Sequence, residues 1–185
     1  MKTIWMAAAA AGALGLAACA GGMNDGSAPS ALASGSPAAA AAPTTATAFM
    51  AEAARSDMYE IQSSQLAMTR GASQGVKDFA QMMVRDHTNS TQMVMDAARS
   101  GGMTPPPPPP LDARRAGMLD QLRGASGAAF DRLYLSQQRM AHQEALALHS
   151  GYAQNGDNAA LRGGAGKIAP IVQQHLTHVQ QLQPG

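Results

Sequence analysis

The sequence has little of what several common protein classes require. It contains one cysteine, so an intramolecular disulfide cannot form, and only 4% of its residues are aromatic. The formal net charge is +1, and the basic residues are not clustered. A basic surface with aromatic side chains for base stacking is therefore not expected, which argues against nucleic-acid binding. There is also no glycine-rich phosphate loop and no nucleophilic serine or cysteine motif, so hydrolase chemistry is not indicated.

The single cysteine lies at the end of a predicted export signal. Lys2 is followed by a short, alanine-rich apolar run over residues 4–18, as in a secretory signal peptide. The segment "LAAC", residues 16–19, matches the bacterial lipobox, in which a cysteine becomes the lipidated N-terminus. We therefore predict a lipoprotein signal peptide over residues 1–18 and lipidation of Cys19. Without Lys2 the mature chain carries twelve basic and twelve acidic residues.

Lipidation of Cys19 predicts both a membrane anchor and a location. Each acyl chain contributes about 0.8 kcal/mol per buried methylene, so the membrane is an expected partner. Ala20 stands where an aspartate would retain a lipoprotein at an inner membrane. We expect an exported, lipid-anchored protein, at the outer membrane facing the periplasm if the source is Gram-negative. Residues 19–47, rich in Ala, Ser, Pro and Thr, are predicted to form a disordered tether.

Residues 48–183 predict a single all-α domain, because helix-favouring residues dominate and strand signals are scarce. We expect long helices over residues 48–70, 73–100, 126–154 and 158–182, and a short extra helix over 111–123. Pro170 predicts a kink or a break in the last helix. Six consecutive prolines, residues 105–110, lie in the connection of about 25 residues between the second and third long helices. That length permits one crossover or a simple up-and-down bundle.

Each long helix carries a stripe with alternating spacings of four and three, which is typical of the seam of a helical bundle. The stripes are Phe49, Ala53, Ser56, Glu60, Ser63, Ala67; Val76, Ala80, Met83, His87, Ser90, Val94, Ala97; Asp131, Leu135, Gln138, His142, Ala145, His149; and Leu161, Ala165, Ile168, Val172, His175, Val179, Leu182. A competing stripe through Met58 also fits the first helix. Near the middle of each seam is one strongly polar side chain: Glu60, His87, His142 or His175. Burying such groups unpaired costs several kcal/mol, so we expect these four to meet.

Four segments of the chain also resemble a known family. They are "EAARSDMYEIQSSQLA", "VKDFAQMMVRDHT", "GAAFDRLYLSQQRMAHQEALAL" and "IAPIVQQHLTHVQQL". They resemble successive blocks of the bacterial domain of unknown function 4142, an exported family grouped with the ferritin-like four-helix bundles. The resemblance covers residues 49–182 and implies a ferritin-like fold without implying an activity. It places the recurrent polar positions of the family on Glu60, Asp86, His87, Asp131, Tyr134, His142 and His175.

Two interpretations of this polar core remain open. In the first, Glu60, His87, His142 and His175 bind a transition metal such as iron, zinc, nickel or copper. Asp86, Asp131 and Tyr134 would orient these ligands from behind or serve as alternative ligands. In the second, the same groups form a metal-free hydrogen-bonded network, for instance His87 with Glu60, that fixes the helix register. The chain departs from the di-iron pattern of Glu-x-x-His pairs, because Val84 and Arg139 precede His87 and His142 by three residues.

Two further hypotheses concern the methionines and the outer surface. Thioethers suit Cu(I), although methionine is also a common core filler. The candidate residues are Met58, Met68, Met82, Met83, Met93, Met95 and Met140. Our main interpretation of the whole protein is an envelope module of unassigned activity that binds another protein or responds to stress through its exterior, with metal binding as the alternative. Neither hypothesis makes the protein an enzyme.

Overall fold

The computed structural model describes residues 42–185. The predicted signal peptide, Cys19 and most of the predicted tether lie outside these residues. The helices are α1 (Ala46–Arg70), α2 (Gln74–Ser100), α3 (Ala113–Gly124), α4 (Gly127–Asn155) and α5 (Ala159–Gln181), and residues 42–185 contain no β-strand. The prediction of an all-α fold is confirmed. None of these five helices combines the length and hydropathy that crossing a membrane requires.

The helix ends follow local capping signals in the sequence. Ser73, Asp112 and Asn158 precede α2, α3 and α5, and each side chain accepts a hydrogen bond from the backbone N–H three residues later. Such side chains satisfy an N–H that has no intrahelical acceptor. After α2, Gly102 has a φ of 76°, a left-handed conformation that glycine adopts without strain. The predicted bounds consequently agree with the observed helices to within two residues.

The fourth long helix does not break at Pro170. Helix α5 continues from Ala159 to Gln181 with this proline inside it. A proline removes one helical hydrogen bond, here the one to the carbonyl of Gly166. Both Pro170 and Gly166 are exposed, so water can hydrate that carbonyl. Of the predicted kink or break, the break does not occur, because the proline lies on the solvent side of the helix.

Contacts between helix ends show that the bundle has one crossover. The turn after α1 meets the beginning of α4, where Gly71 and Gly127 form an isolated bridge. The end of α2 meets the beginning of α5, where the side chain of Asn158 donates to the carbonyl of Gly101. Helices α2 and α4 therefore run in the same direction, and residues 101–126 must return along the bundle. This single long connection is the topology of ferritin-like folds.

Each long helix packs against two others. Helix α1 contacts α2 and α4, and α5 contacts the same two helices, so α1 and α5 lie on one diagonal of the bundle. The short helix α3 of the crossover packs on α1 and α4. It buries Met118, Leu119 and Leu122, and Arg115 binds Glu52 of α1. The crossover is thus attached to the bundle by both apolar and ionic contacts.

The structure confirms the predicted seams. Their residues are buried, except that Ala97 and Leu182 are half-buried, whereas Met58 of the competing stripe is half-buried. The apolar core falls into two clusters, one including Phe79 and Tyr134 and the other including Phe49 and Tyr152. His87, His142 and His175 occur between the two clusters along α2, α4 and α5. The centre of the bundle is therefore polar.

Candidate metal centre

Three histidines from three helices meet between the two apolar clusters. His87 comes from α2, His142 from α4 and His175 from α5, and we call these residues the histidine group. Their ring centroids are 5.4–5.7 Å apart, and the rings present one ligating nitrogen each within 4.8 Å of the other two. All three residues are buried, with at most 4% of their surface exposed. The structure thus brings together three of the four polar residues that the seams placed inward.

His87 is oriented by a carboxylate of the neighbouring helix. Its Nδ1–H donates to Oδ1 of Asp57 in α1 at 2.8 Å, and the other oxygen of Asp57 accepts from the hydroxyl of Thr91 at 2.9 Å. Nε2 of His87 is buried and has no hydrogen-bond partner among residues 42–185. The ring is therefore fixed on one side and open on the other.

His142 is oriented by its own helix. Its Nδ1–H donates to the carbonyl of Gln138, one turn earlier, at 2.8 Å. Because a carbonyl can only accept, this bond places the proton of the neutral ring on Nδ1. Nε2 carries the lone pair and finds no partner in the described part of the chain. Burial and the positive charge of His87 lower the pKa of His142 to about 3, so this lone pair is available at neutral pH.

His175 is held in the same manner but through its other nitrogen. Its Nε2–H donates to Oδ2 of Asp86 at 3.1 Å, and Oδ1 of Asp86 accepts from Arg85. Nδ1 has no partner within the described range. Burial and the charge of His87 lower the pKa of His175 to about 4. We call His87 Nε2, His142 Nε2 and His175 Nδ1 the open nitrogens.

His87 differs from its two neighbours in its affinity for a proton. Burial alone would lower the pKa of His87, but the hydrogen bond and charge of Asp57, with the charges of Glu60 and Asp86, raise it above the usual value. His87 therefore keeps a second proton at higher pH than His142 and His175 do. A cation that binds Nε2 of His87 would displace that proton.

Glu60 lies beside the histidine group, next to Nδ1 of His142 and not next to its open nitrogen, Nε2. Its Oε1 is 3.7 Å from Nδ1 of His142, the nitrogen that already donates to Gln138. Neither carboxylate oxygen has a hydrogen-bond partner among the described residues. Burial raises the pKa of Glu60 to about 7. The structure thus places this predicted ligand next to the site, and the described group of possible metal ligands does not include it.

Asp131 and Tyr134 form their hydrogen bonds away from the histidine group. Asp131 accepts from the backbone N–H groups of Ala72, Ser73 and Gly185 at 2.9–3.1 Å. These bonds fix the turn between α1 and α2 against the beginning of α4. The hydroxyl of Tyr134 bonds that of Ser64 at 2.8 Å. Of the three residues predicted to lie behind the ligands, only Asp86 contacts a histidine of the group in the described structure.

Sequence reasoning missed Asp57 and the role of the Gln138 carbonyl, whereas it placed His149 on an inward seam. Asp57 follows a second 4-3 stripe of α1 (Ala53, Asp57, Glu60, Ser64, Ala67), so it could have been found. His149 is buried and leaves Nδ1 without a partner in residues 42–185, but the histidine group does not include it. A backbone carbonyl gives no sequence signal, because its partner depends on the rotamer of the histidine.

Two cavities lie near this centre. One of about 260 Å³ is lined by Asp86, His87, Asn89, Ser90, Met93, Ile168, Ile171, Val172 and His175. The other, of about 400 Å³, lies under the proline segment, with Met50, Met95 and Arg99 in its lining. Although it is larger, its lining includes none of the histidine group. We assign the smaller cavity to the site because it reaches two of the three rings.

The methionines lie in different environments. Met83 is buried in the apolar core, whereas Met68 and Met140 are exposed. Met93 lines the cavity next to His87, and Met95 lines the cavity under the prolines. Among these residues, Met93 is the thioether that shares a cavity with members of the histidine group.

The chemistry of the donor set suits a transition metal. Histidines that bind metals usually donate their second ring N–H to a carboxylate or a backbone carbonyl, which fixes the tautomer. Asp57, Asp86 and the Gln138 carbonyl accept these N–H groups here. Two carboxylates next to three imidazoles also supply negative charge for a dication.

The fold is similar to one already solved. The structure described as "CopM in the Cu(II)-bound form" has a TM-score of 0.61 to this chain, with 17% sequence identity over 74% of this chain and 94% of that one. At this identity the likeness shows the fold alone. No curated protein matches the sequence.

The sequence itself matches one family. The family described as "Domain of unknown function (DUF4142)" matches residues 31–182, which include all of the described helices. This chain belongs to the DUF4142 family.

Proposed function

We propose that this protein binds one transition-metal ion through the three open nitrogens. The observation that carries this proposal is the convergence of three buried imidazoles whose opposite nitrogens are already held by acceptors. Such a set is oriented before the ion arrives, so little conformational entropy opposes binding. Storage, delivery or sensing of the metal would all use this site.

A metal-free network accounts less well for the same geometry. In such a network the groups satisfy one another, whereas the three open nitrogens and both oxygens of Glu60 have no hydrogen-bond partner in the described structure. Each unsatisfied buried polar group costs about 1–3 kcal/mol. A bound ion would use three of these groups at once and remove that cost.

Copper is the metal we propose first, and zinc is its competitor. Imidazole suits zinc, copper, nickel and iron, and at a given nitrogen site Cu(II) generally binds most tightly among first-row divalent ions. The solved neighbour is described as Cu(II)-bound, which supports copper. The sites of di-iron bundles are rich in carboxylates, whereas the described cluster consists of three histidines. Asp57 and Asp86 would balance the two positive charges of the ion.

Metal stoichiometry tests this proposal. The purified full chain is stripped with chelator, loaded with Cu(II) or Zn(II), passed through a desalting column and analysed for metal. We expect one ion per chain in the wild type and a loss of binding in His87→Ala, His142→Ala and His175→Ala. His178→Ala is the matched control, because His178 is an exposed histidine of α5, the helix that carries His175. This variant should leave metal binding unchanged. Equal stoichiometry in all five proteins would contradict the proposal.

We also propose that this metal-binding bundle is exported and tethered to a membrane through lipidated Cys19, at the outer membrane facing the periplasm in a Gram-negative source. The lipobox at residues 16–19 and the Ala/Ser/Pro-rich segment after it support this proposal. Globomycin should block processing of the wild type, and Cys19→Ser should remain unprocessed. Release of the wild type into the soluble envelope fraction would contradict the anchor.

A further inference from the structure

The cavity of about 260 Å³ opens a path from the protein surface to the histidine group. His87 and His175 contribute to its lining, and Ile171, with 37% of its surface exposed, lies in the lining as well. Ile168 and Val172 complete an apolar side. The proposed metal would therefore sit at the inner end of a small, partly open chamber.

Three protein nitrogens leave at least one coordination position of the ion for another ligand. Metal sites with three protein ligands commonly hold water or substrate at the remaining position. Asp86, the carboxylate in the lining of this cavity, already accepts hydrogen bonds with both oxygens, from His175 and Arg85. The thioether of Met93, which also lines this cavity, is a protein donor that would compete for the position.

Ser90 supplies a polar contact for a ligand in this chamber. It lies one turn after His87 in α2 and lines the cavity, with 8% of its surface exposed. Its hydroxyl has no hydrogen-bond partner among the described residues. A buried hydroxyl without a hydrogen-bond partner is a costly arrangement unless something bonds to it.

We propose that the open coordination position of the metal faces this cavity and takes an exchangeable water molecule or small anion, which hydrogen-bonds to the hydroxyl of Ser90. This inference rests on the proposed metal site and adds its ligand class and a positioning residue, Ser90. The consequence is an accessible metal that exchanges ligands with solvent. A closed structural site would not do so.

Azide binding to the copper-loaded full chain tests this inference. Copper stoichiometry is measured first, and azide is then titrated while its charge-transfer absorption and the Cu(II) electron paramagnetic resonance spectrum are recorded. We expect saturable binding of one azide per copper in the wild type. Ser90→Ala should keep its copper and bind azide roughly three- to tenfold more weakly, because one hydrogen bond is lost.

Matched variants separate this role from a structural one. Ser90→Thr keeps a hydroxyl and should restore azide affinity, whereas Ser136→Ala, at an exposed serine of α4, should not change it. Ile171→Trp should obstruct the cavity and weaken azide binding at unchanged copper content. Gln173→Trp, at an exposed position that does not line this cavity, should have no such effect.

Each other result of the azide and copper experiments would overturn one specific claim. Copper-loaded wild type that does not respond to azide overturns this inference and leaves the metal site intact. A response that appears only in Met93→Leu shows that the thioether fills the position, which also overturns it. Equal azide affinity in the wild type and Ser90→Ala removes the role of Ser90. Failure to bind copper or zinc at all overturns the proposed function itself.

Discussion

Asp131 and the histidine group are both buried and polar, and both lie on predicted seams of the same bundle. The carboxylate of Asp131 accepts three backbone N–H groups, and these bonds lower its pKa although burial raises it. The histidine group uses one nitrogen of each ring for a hydrogen bond and leaves the other without a partner in the described structure, while the ring centroids lie 5.4–5.7 Å apart. A buried polar group with a full set of partners stabilises the fold, whereas converging groups without partners indicate a ligand.

Glu60 adds a third case to this comparison. Like Asp131 it is a fully buried carboxylate, but it has no hydrogen-bond partner in residues 42–185. The pKa of Glu60 is raised to about 7, whereas that of Asp131 is lowered. Both residues are acidic and lie on predicted seams, so the opposite directions of their pKa shifts come from their surroundings in the fold.

The largest effect that we expect is on Asp131. Asp131→Ala should lower the free energy of unfolding by about 3–5 kcal/mol, because three backbone N–H groups lose a charged acceptor. Urea denaturation followed by circular dichroism measures this change. Copper stoichiometry should stay at one per folded chain. Loss of copper from a folded Asp131→Ala protein would show that the two sites are not independent.

The next effect concerns Glu60 and depends on pH. Its folded pKa of about 7 lies above the ordinary value of a glutamate, 4.5. The native state therefore binds more protons than the unfolded state between these pH values, and stability falls as pH rises through them. Glu60→Gln cannot lose a proton. The free energy of unfolding of Glu60→Gln minus that of the wild type should therefore be about 3 kcal/mol larger at pH 8 than at pH 4.5. Urea denaturation at both pH values measures this difference. If the difference is the same at both, the Glu60 carboxylate is not buried without a partner.

Metal should stabilise the protein by mass action. At a free Cu(II) concentration one hundred times the Kd, the free energy of unfolding should rise by about 2.7 kcal/mol. His142→Ala should show no such increase, whereas His149→Ala, at a buried histidine outside the group, should keep most of it. Thermal unfolding with and without copper measures these changes. Equal stabilisation of both variants would point to a different copper site.

The smallest effect that we expect is at Asp57. Asp57→Asn keeps the shape of the side chain but weakens the hold on His87 and removes a negative charge beside the proposed ion. Loss of such an orienting partner typically costs 10–100-fold in metal affinity. Competition against a chelator of known affinity measures it. Asp96→Asn, at an exposed carboxylate of α2, is the control and should leave the affinity unchanged.

Most of the fold could be predicted because its signals are local. The 4-3 spacing of the seams, the caps at Ser73 and Asn158, and the glycines after α2 act over one or two turns of helix. The same local periodicity placed His87, His142 and His175 on inward faces. Of the kink or break predicted at Pro170, the break does not occur, because a proline on the solvent side of a helix is tolerated when water reaches the released carbonyl.

The sequence by itself thus determined an all-α bundle with imidazoles facing inward, since helix periodicity is written into the order of the residues. Only the tertiary structure decided that the connection crosses over, that Asp57 holds His87, that Glu60 stays beside His142, and that Asp131 fixes a turn at the far end. These outcomes depend on how far each helix is shifted along its neighbours and on which rotamer each side chain adopts. Both are set by packing between distant segments, which no single stretch of the chain contains.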